Sequence, residues 1–188
     1  LVHVDVAEEF AEKLAARMGK LVVGRGQDAG VDVGPLIEEK AVESVHQLVT
    51  DAVHDGARVL TGGGAPDGPG YFYSPTVLLD VHPESEINSQ EIFGPVAPTV
   101  TFTSEEEAVT RANDTEYGLA SYVYTRDLAR TIRLAEALDY GMVGFNSGLI
   151  SNPAAPFGGI KASGFGREGG FEGIEEYLDT TYVALPAG

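Results

Sequence analysis

The chain has 188 residues with 43% hydrophobic and 22% charged content, ordinary values for a globular protein able to bury one good core. Its formal charge of −17 leaves no basic stripe to neutralise a phosphate backbone, so nucleic-acid binding is excluded. No run of 18 apolar residues spans a membrane, and with no cysteine at all, disulfides and thiolate metal sites are ruled out.

Leu1 to Val4 reads as a strand, and Leu stands where Met begins most proteins; both lead to the expectation that the chain is part of a longer one. Asp5 to Met18 is an amphipathic helix, with Asp5 and Glu8 as a capping box, Phe10, Ala11, Leu14, Ala15 and Met18 on one face and Gly19 as the stop. Gly24 to Gly34 is a Gly- and Asp-rich loop. A second helix follows over about Ile37 to Asp55, its stripe Val42, Val45, Val49, Ala52 and Val53, its stop Gly56. Arg58 to Thr61 reads as a strand, and Tyr71 to Val81 is β-rich but broken by Pro75.

Pro95 to Thr103 is expected as another strand, and Ser104 with Glu107 opens a helix to about Ala112. Ser121 to Thr125 is a strand, Asp127 to Leu138 a helix and Gly141 to Phe145 a strand. Strands alternating with helices imply βαβ units, hence an α/β fold with a largely parallel sheet covered by helices on both faces. Residues 1–162 form the α/β domain in this reading. Residues 163–176 are a connecting loop and short helix, and 177–188 a tail whose segment Tyr177 to Leu185 has strand composition.

Three motifs carry chemistry. Gly164 to Gly169 spells G-x-G-x-x-G, but the preceding residues form a loop instead of a strand, so tight packing explains the glycines better than a pyrophosphate. Glu91 lies two residues before Phe93, in the run Gln90-Glu91-Ile92-Phe93-Gly94-Pro95-Val96. A lone glutamate is ordinarily a solvated charge; beside an aromatic fixed by Gly-Pro it also suits a ribose and its base. Ser151 follows Gly148-Leu149-Ile150, where a hydroxyl either caps loop backbone or donates to a ligand. Asn146 ends a strand and is expected to tie loop backbone together, while Lys161 and Arg167 are expected to form structural ion pairs. His3, His46, His54 and His82 make no ligand cluster, and no metal is expected.

The run Pro156 to Glu168 (PFGGIKASGFGRE), the preceding Gly-Met-Val-Gly-Phe-Asn at 141–146 and the Glu91 motif together resemble the C-terminal part of the NAD(P)-dependent aldehyde dehydrogenases. Gly148 to Asn152 resembles the succinate-semialdehyde branch, and the resemblance covers essentially the whole chain. It implies oxidation of an aldehyde with NAD or NADP: a cysteine thiolate attacks the carbonyl, hydride passes to the nicotinamide, and water activated by a glutamate hydrolyses the thioester. By resemblance Glu91 accepts from the nicotinamide ribose and Phe93 lies against the nicotinamide. Ser151 donates to the far carboxylate of the substrate, and Phe157 walls the substrate tunnel. Phe157 could equally be plain core. The family's nucleophile, general base and main cofactor domain lie upstream of the position of Leu1, so the chain alone is expected to be inert. The resemblance also implies a cytoplasmic homo-oligomer, joined by the C-terminal strand of 177–185; the alternative is a strand added to the chain's own sheet. The competing reading for the whole is a non-catalytic α/β module that binds a metabolite or a partner.

Overall fold

The computed structural model describes residues 1–186, which divide into two compact units, Leu1–Ala108 and Val109 onward. In the first, β1 (Val2–His3) leads directly into α1 (Val4–Met18), followed by α2 (Glu39–His54), β2 (Arg58–Thr61), β3 (Thr76–Leu79), β4 (Val96–Pro98) and β5 (Thr101–Phe102). β3 is central, antiparallel to β2 and parallel to β4; β1 pairs in parallel with β5.

All four residues of β3 are buried, and its period-two alternation turns adjacent leucines to opposite faces. Leu78 joins Val45, Val49 and Ala52 of α2, whereas Leu79 joins Ala7 and Ala11 of α1. Helices therefore cover both faces of this strand, as the alternation of elements requires. Gly56, at φ 108°, allows the turn after α2 that other residues resist.

Local details depart from the sequence reading. α1 begins one residue earlier than expected, because the His3 imidazole, and not Asp5, caps it by accepting from the Asp5 N–H at 3.2 Å. Its expected apolar face is only partly used: Ala7 and Ala11 are buried, while Phe10 is 46% exposed. Pro95 to Thr103 is two short strands, β4 and β5; between them Thr99 stays bonded to the β3 segment, its N–H donating to Leu78 O and its carbonyl accepting from the Val81 N–H. Ser104 caps α3 (Glu105–Asn113) by accepting from the Glu107 N–H, but the Glu107 carboxylate reaches back to the Thr103 N–H, one residue beyond the Ser104 N–H of a reciprocal box.

The second unit contains β6 (Tyr117–Gly118), β7 (Ala120–Val123), α4 (Leu128–Ala137), β8 (Met142–Phe145) and β9 (Ile160–Lys161). β7, α4 and β8 form a βαβ unit with β7 and β8 parallel in register Ala120 to Met142 through Val123 to Phe145. Asp127 caps α4 by accepting from the Arg130 N–H. The Asn113 side chain holds the far end of that helix, donating to Ala137 O and accepting from the Asp139 N–H. β6 and β9 pair antiparallel. A short 3₁₀ helix, Glu172–Tyr177, follows, and Leu178 to Pro186 has no strand assignment. Tyr182 and Leu185 there are 88% and 85% exposed. Strand composition becomes a strand only beside a hydrogen-bonding partner, and the described residues supply none to this segment.

Candidate functional site

In the first unit, the segment before Glu91 is stapled by side chains. Asn88 donates to the carbonyls of His82 and Pro83, and the Ser89 hydroxyl to Glu86 O. Ile92 then anchors in the core beside α2, so Glu91 and Phe93 on either side of it are left exposed, Phe93 80% so. Phe93 adopts φ 48°, a left-handed conformation that costs an ordinary residue roughly 1–2 kcal/mol. The next residue explains how the turn is seated. A Cβ on Gly94 would lie 3.0 Å from a Val45 methyl of α2, so this turn rests directly on the helix. Glu91 makes no hydrogen bond within the described residues. An unengaged carboxylate beside an exposed, strain-held aromatic is an arrangement that fits hydroxyl donors and a flat ring, the chemistry of a nucleoside.

In the second unit, Ser151 and Phe157 line one open hollow of about 270 Å³, together with Glu168 and Gly169. Phe157 is held there by its backbone: its N–H donates to Glu168 O at 2.6 Å, and its carbonyl accepts from the Glu168 N–H at 2.7 Å. Phe157 is 37% exposed and lines the hollow, so it is not plain core. Ser151 has no hydrogen-bond partner among the described residues. The loop-capping work expected as its alternative belongs to Ser147, whose hydroxyl donates to Leu149 O and accepts from the Leu149 N–H. Glu168 was not anticipated as a lining residue; its place follows from the bridge to Phe157, which joins residues eleven apart and leaves no periodic signal.

The glycine-rich stretch is close-packed. A Cβ on Gly158 would lie 2.6 Å from Gly166 O, and one on Gly159 2.6 Å from the Ser163 Cβ. Gly164, Gly166 and Gly169 all have positive φ, which makes G-x-G-x-x-G here a series of turns; the two-residue strand β9 ends just before it, against the loop expected there, but no regular α-helix follows to complete a βαβ unit. Lys161 and Arg167 make no ion pair among the described residues, a correction to the sequence reading. Arg167 instead donates to the carbonyls of Gly159 and Gly166 at 2.8 and 2.7 Å, and Lys161 to those of Asn113 and Thr115. Tight glycine turns strand carbonyls such as those of Gly159 and Gly166 away from backbone partners, and the Arg167 guanidinium is the available donor. Asn146 ties backbone as expected, through two hydrogen bonds to Thr125.

Residues 1–183 match the family model described as "Aldehyde dehydrogenase family". The chain is 58% identical over 185 residues to a succinate-semialdehyde dehydrogenase of Paenarthrobacter nicotinovorans, covering 98% of this chain and 41% of that protein. It is 53% identical to a glutarate-semialdehyde dehydrogenase of Pseudomonas aeruginosa, covering 98% of this chain and 38% of that one. Among solved structures, an Escherichia coli NADP-dependent enzyme superposes with a TM-score of 0.91 at 53% identity, over 95% of this chain and 37% of that chain. The chain thus spans about two fifths of the length of the curated relatives it matches.

Proposed function

The chain belongs to the aldehyde dehydrogenase family, and from that premise we propose that it forms the substrate- and nicotinamide-facing part of an NAD(P)-dependent dehydrogenase for aldehydes with a distal carboxylate. Succinate semialdehyde is the first substrate to test, and glutarate semialdehyde the second. The observation that carries this reading is the Ser151 hydroxyl, free of any partner among the described residues and lining the same hollow as Phe157. A hydroxyl donor recognises a carboxylate oxygen without adding charge, and an apolar wall excludes water from the reacting carbon.

Each site residue then has one task. Ser151 donates to the far carboxylate, and Phe157 packs along the carbon chain. Glu91 accepts from ribose hydroxyls, and Phe93 offers its exposed face to the nicotinamide ring. When bound, NAD(P) supplies the acceptor for hydride. Glu168 adds a carboxyl group to the lining of the hollow, so binding of a second carboxylate needs cationic groups from outside residues 1–186. The thiolate nucleophile must also come from outside, since the chain has no cysteine. Residues 1–188 alone therefore reduce no NAD(P). The exposed segment 177–185 would find its strand partner in a neighbouring subunit, giving a homo-oligomer.

The test uses the longer protein that contains the chain, with succinate semialdehyde and a neutral aldehyde of equal length as substrates. Ser151→Ala should lower the preference for the acid at least tenfold, the equivalent of roughly 1.5–3 kcal/mol for one hydrogen bond to a charged group. Equal loss on both substrates would withdraw the carboxylate role from Ser151. No NAD(P) reduction with any aldehyde would favour the non-catalytic binding module.

A further inference from the structure

The loop that carries Ser151 has little backbone fastening of its own. Among the described residues, 147 to 151 make no hydrogen bond to other backbone, so side chains set the loop's course. The Ser147 hydroxyl closes a local turn onto Leu149. Ile150 sits against Gly144 of β8, where an added Cβ would meet the Ile150 Cγ2 at 2.5 Å. The direction in which the chain leaves β8 is fixed one residue earlier, at Asn146.

Asn146 has φ 53°, a left-handed conformation in which asparagine is among the better-tolerated residues. Its backbone N–H donates to Val123 O at 2.8 Å, the last backbone bond between the two strands in this direction. Its carboxamide then acts as an added peptide group. Oδ1 accepts from the Thr125 N–H at 2.9 Å, and Nδ2 donates to Thr125 O at 2.8 Å. Both hydrogen-bonding groups of the Thr125 backbone are thereby satisfied by one side chain, which locks the strained turn and aims the loop.

We propose that Asn146 is the positioning residue that sets where the Ser151 hydroxyl stands, and with it the preference for an aldehyde bearing a far carboxylate. This rests on the reading of Ser151 above. Asn146 touches no substrate; it raises the fraction of molecules whose loop is already in the competent conformation, and the apparent affinity for the acid scales with that fraction.

Asn146→Gly is the informative variant, because glycine accepts the positive φ without strain while removing both hydrogen bonds to Thr125. In the longer protein, Asn146→Gly should lower the acid-to-neutral discrimination ratio by roughly tenfold, the loss lying in KM for the acid and not in kcat. Asn146→Asp, which retains the acceptor for the Thr125 N–H, should fall between the two and serves if the glycine variant does not fold. In the Ser151→Ala background, Asn146→Gly should cause no further loss of discrimination. If Ser151→Ala lowers the ratio but neither Asn146 variant does, or if both substrates suffer equally, the positioning role is overturned and the Ser151 reading survives. If Asn146→Gly lowers the ratio while Ser151→Ala leaves it unchanged, both are overturned, because Asn146 would then act through another group.

Discussion

Replacing Gly141 by alanine should destabilise the second unit and disturb the hollow together. A Cβ at Gly141 would lie 2.0 Å from Gly158 O and 2.9 Å from the Gly159 Cα. Non-bonded contacts of this kind need about 3.5 Å, so the 158–159 backbone would have to retreat by more than an ångström. That backbone cannot yield as a flexible side chain would: Arg167 holds Gly159 O at 2.8 Å, and the Phe157 bridge to Glu168 holds the preceding residue. Overpacking against a braced neighbour costs typically 1–3 kcal/mol, and the severity of this overlap puts it at the upper end. Alanine also lowers the entropy of the unfolded chain, returning about 0.4–1 kcal/mol, so a net loss of about 2 kcal/mol is expected. Urea unfolding of parent and variant measures it. Gly26→Ala and Gly34→Ala are the controls, since an added Cβ at either meets nothing within 4 Å and neither has positive φ. A Gly141→Ala variant within about 0.5 kcal/mol of the parent, like surface substitutions generally, would refute this packing account.

Three further outcomes follow from the geometry. Leu78→Ala, at a fully buried position facing α2, should cost about 2–5 kcal/mol in chemical denaturation. Burial pushes the Tyr73 phenol up to about 12, so its stabilising contribution is complete below its ordinary value near 10 and is lost as pH rises from 10 to 12; Tyr73→Phe should flatten that part of the stability profile. The Asp127 carboxyl is held below its ordinary range chiefly by the Arg130 backbone N–H. Its contribution is therefore present above that range and lost as pH falls through the lowered value, and Asp127→Asn should remove this acid-side slope while keeping an acceptor at the cap of α4.

The features legible in the sequence were those with a local cause. The cap at Ser104, the stop at Gly56 and the βαβ alternation of β7, α4 and β8 each depend on residues within a turn or on a period the chain repeats. The pairing of Tyr117–Gly118 with Ile160–Lys161 was not legible, because two residues make no period and the partner lies some forty positions away. Phe10 belongs to the apolar stripe of α1, yet within this chain that part of the stripe is exposed; periodicity marks a face without saying how much of it is covered. At the site, the roles assigned to Glu91, Phe93, Ser151 and Phe157 came from resemblance. The strained φ of Phe93, the unengaged hydroxyl of Ser151 and the place of Glu168 came only with the backbone. Charge patterning misled for Lys161 and Arg167, because a sequence shows carboxylates but not which carbonyls the fold brings within reach: those of Gly159 and Gly166 for Arg167, and those at and just beyond the end of α3 for Lys161.

The most direct measurement is a crystal structure of the longer protein with a four-carbon dicarboxylate, the product of the proposed reaction. The account predicts one carboxylate within about 3 Å of the Ser151 Oγ, with the carbon chain lying along the Phe157 ring. A dicarboxylate bound with neither carboxylate in hydrogen-bond reach of Ser151 would contradict it.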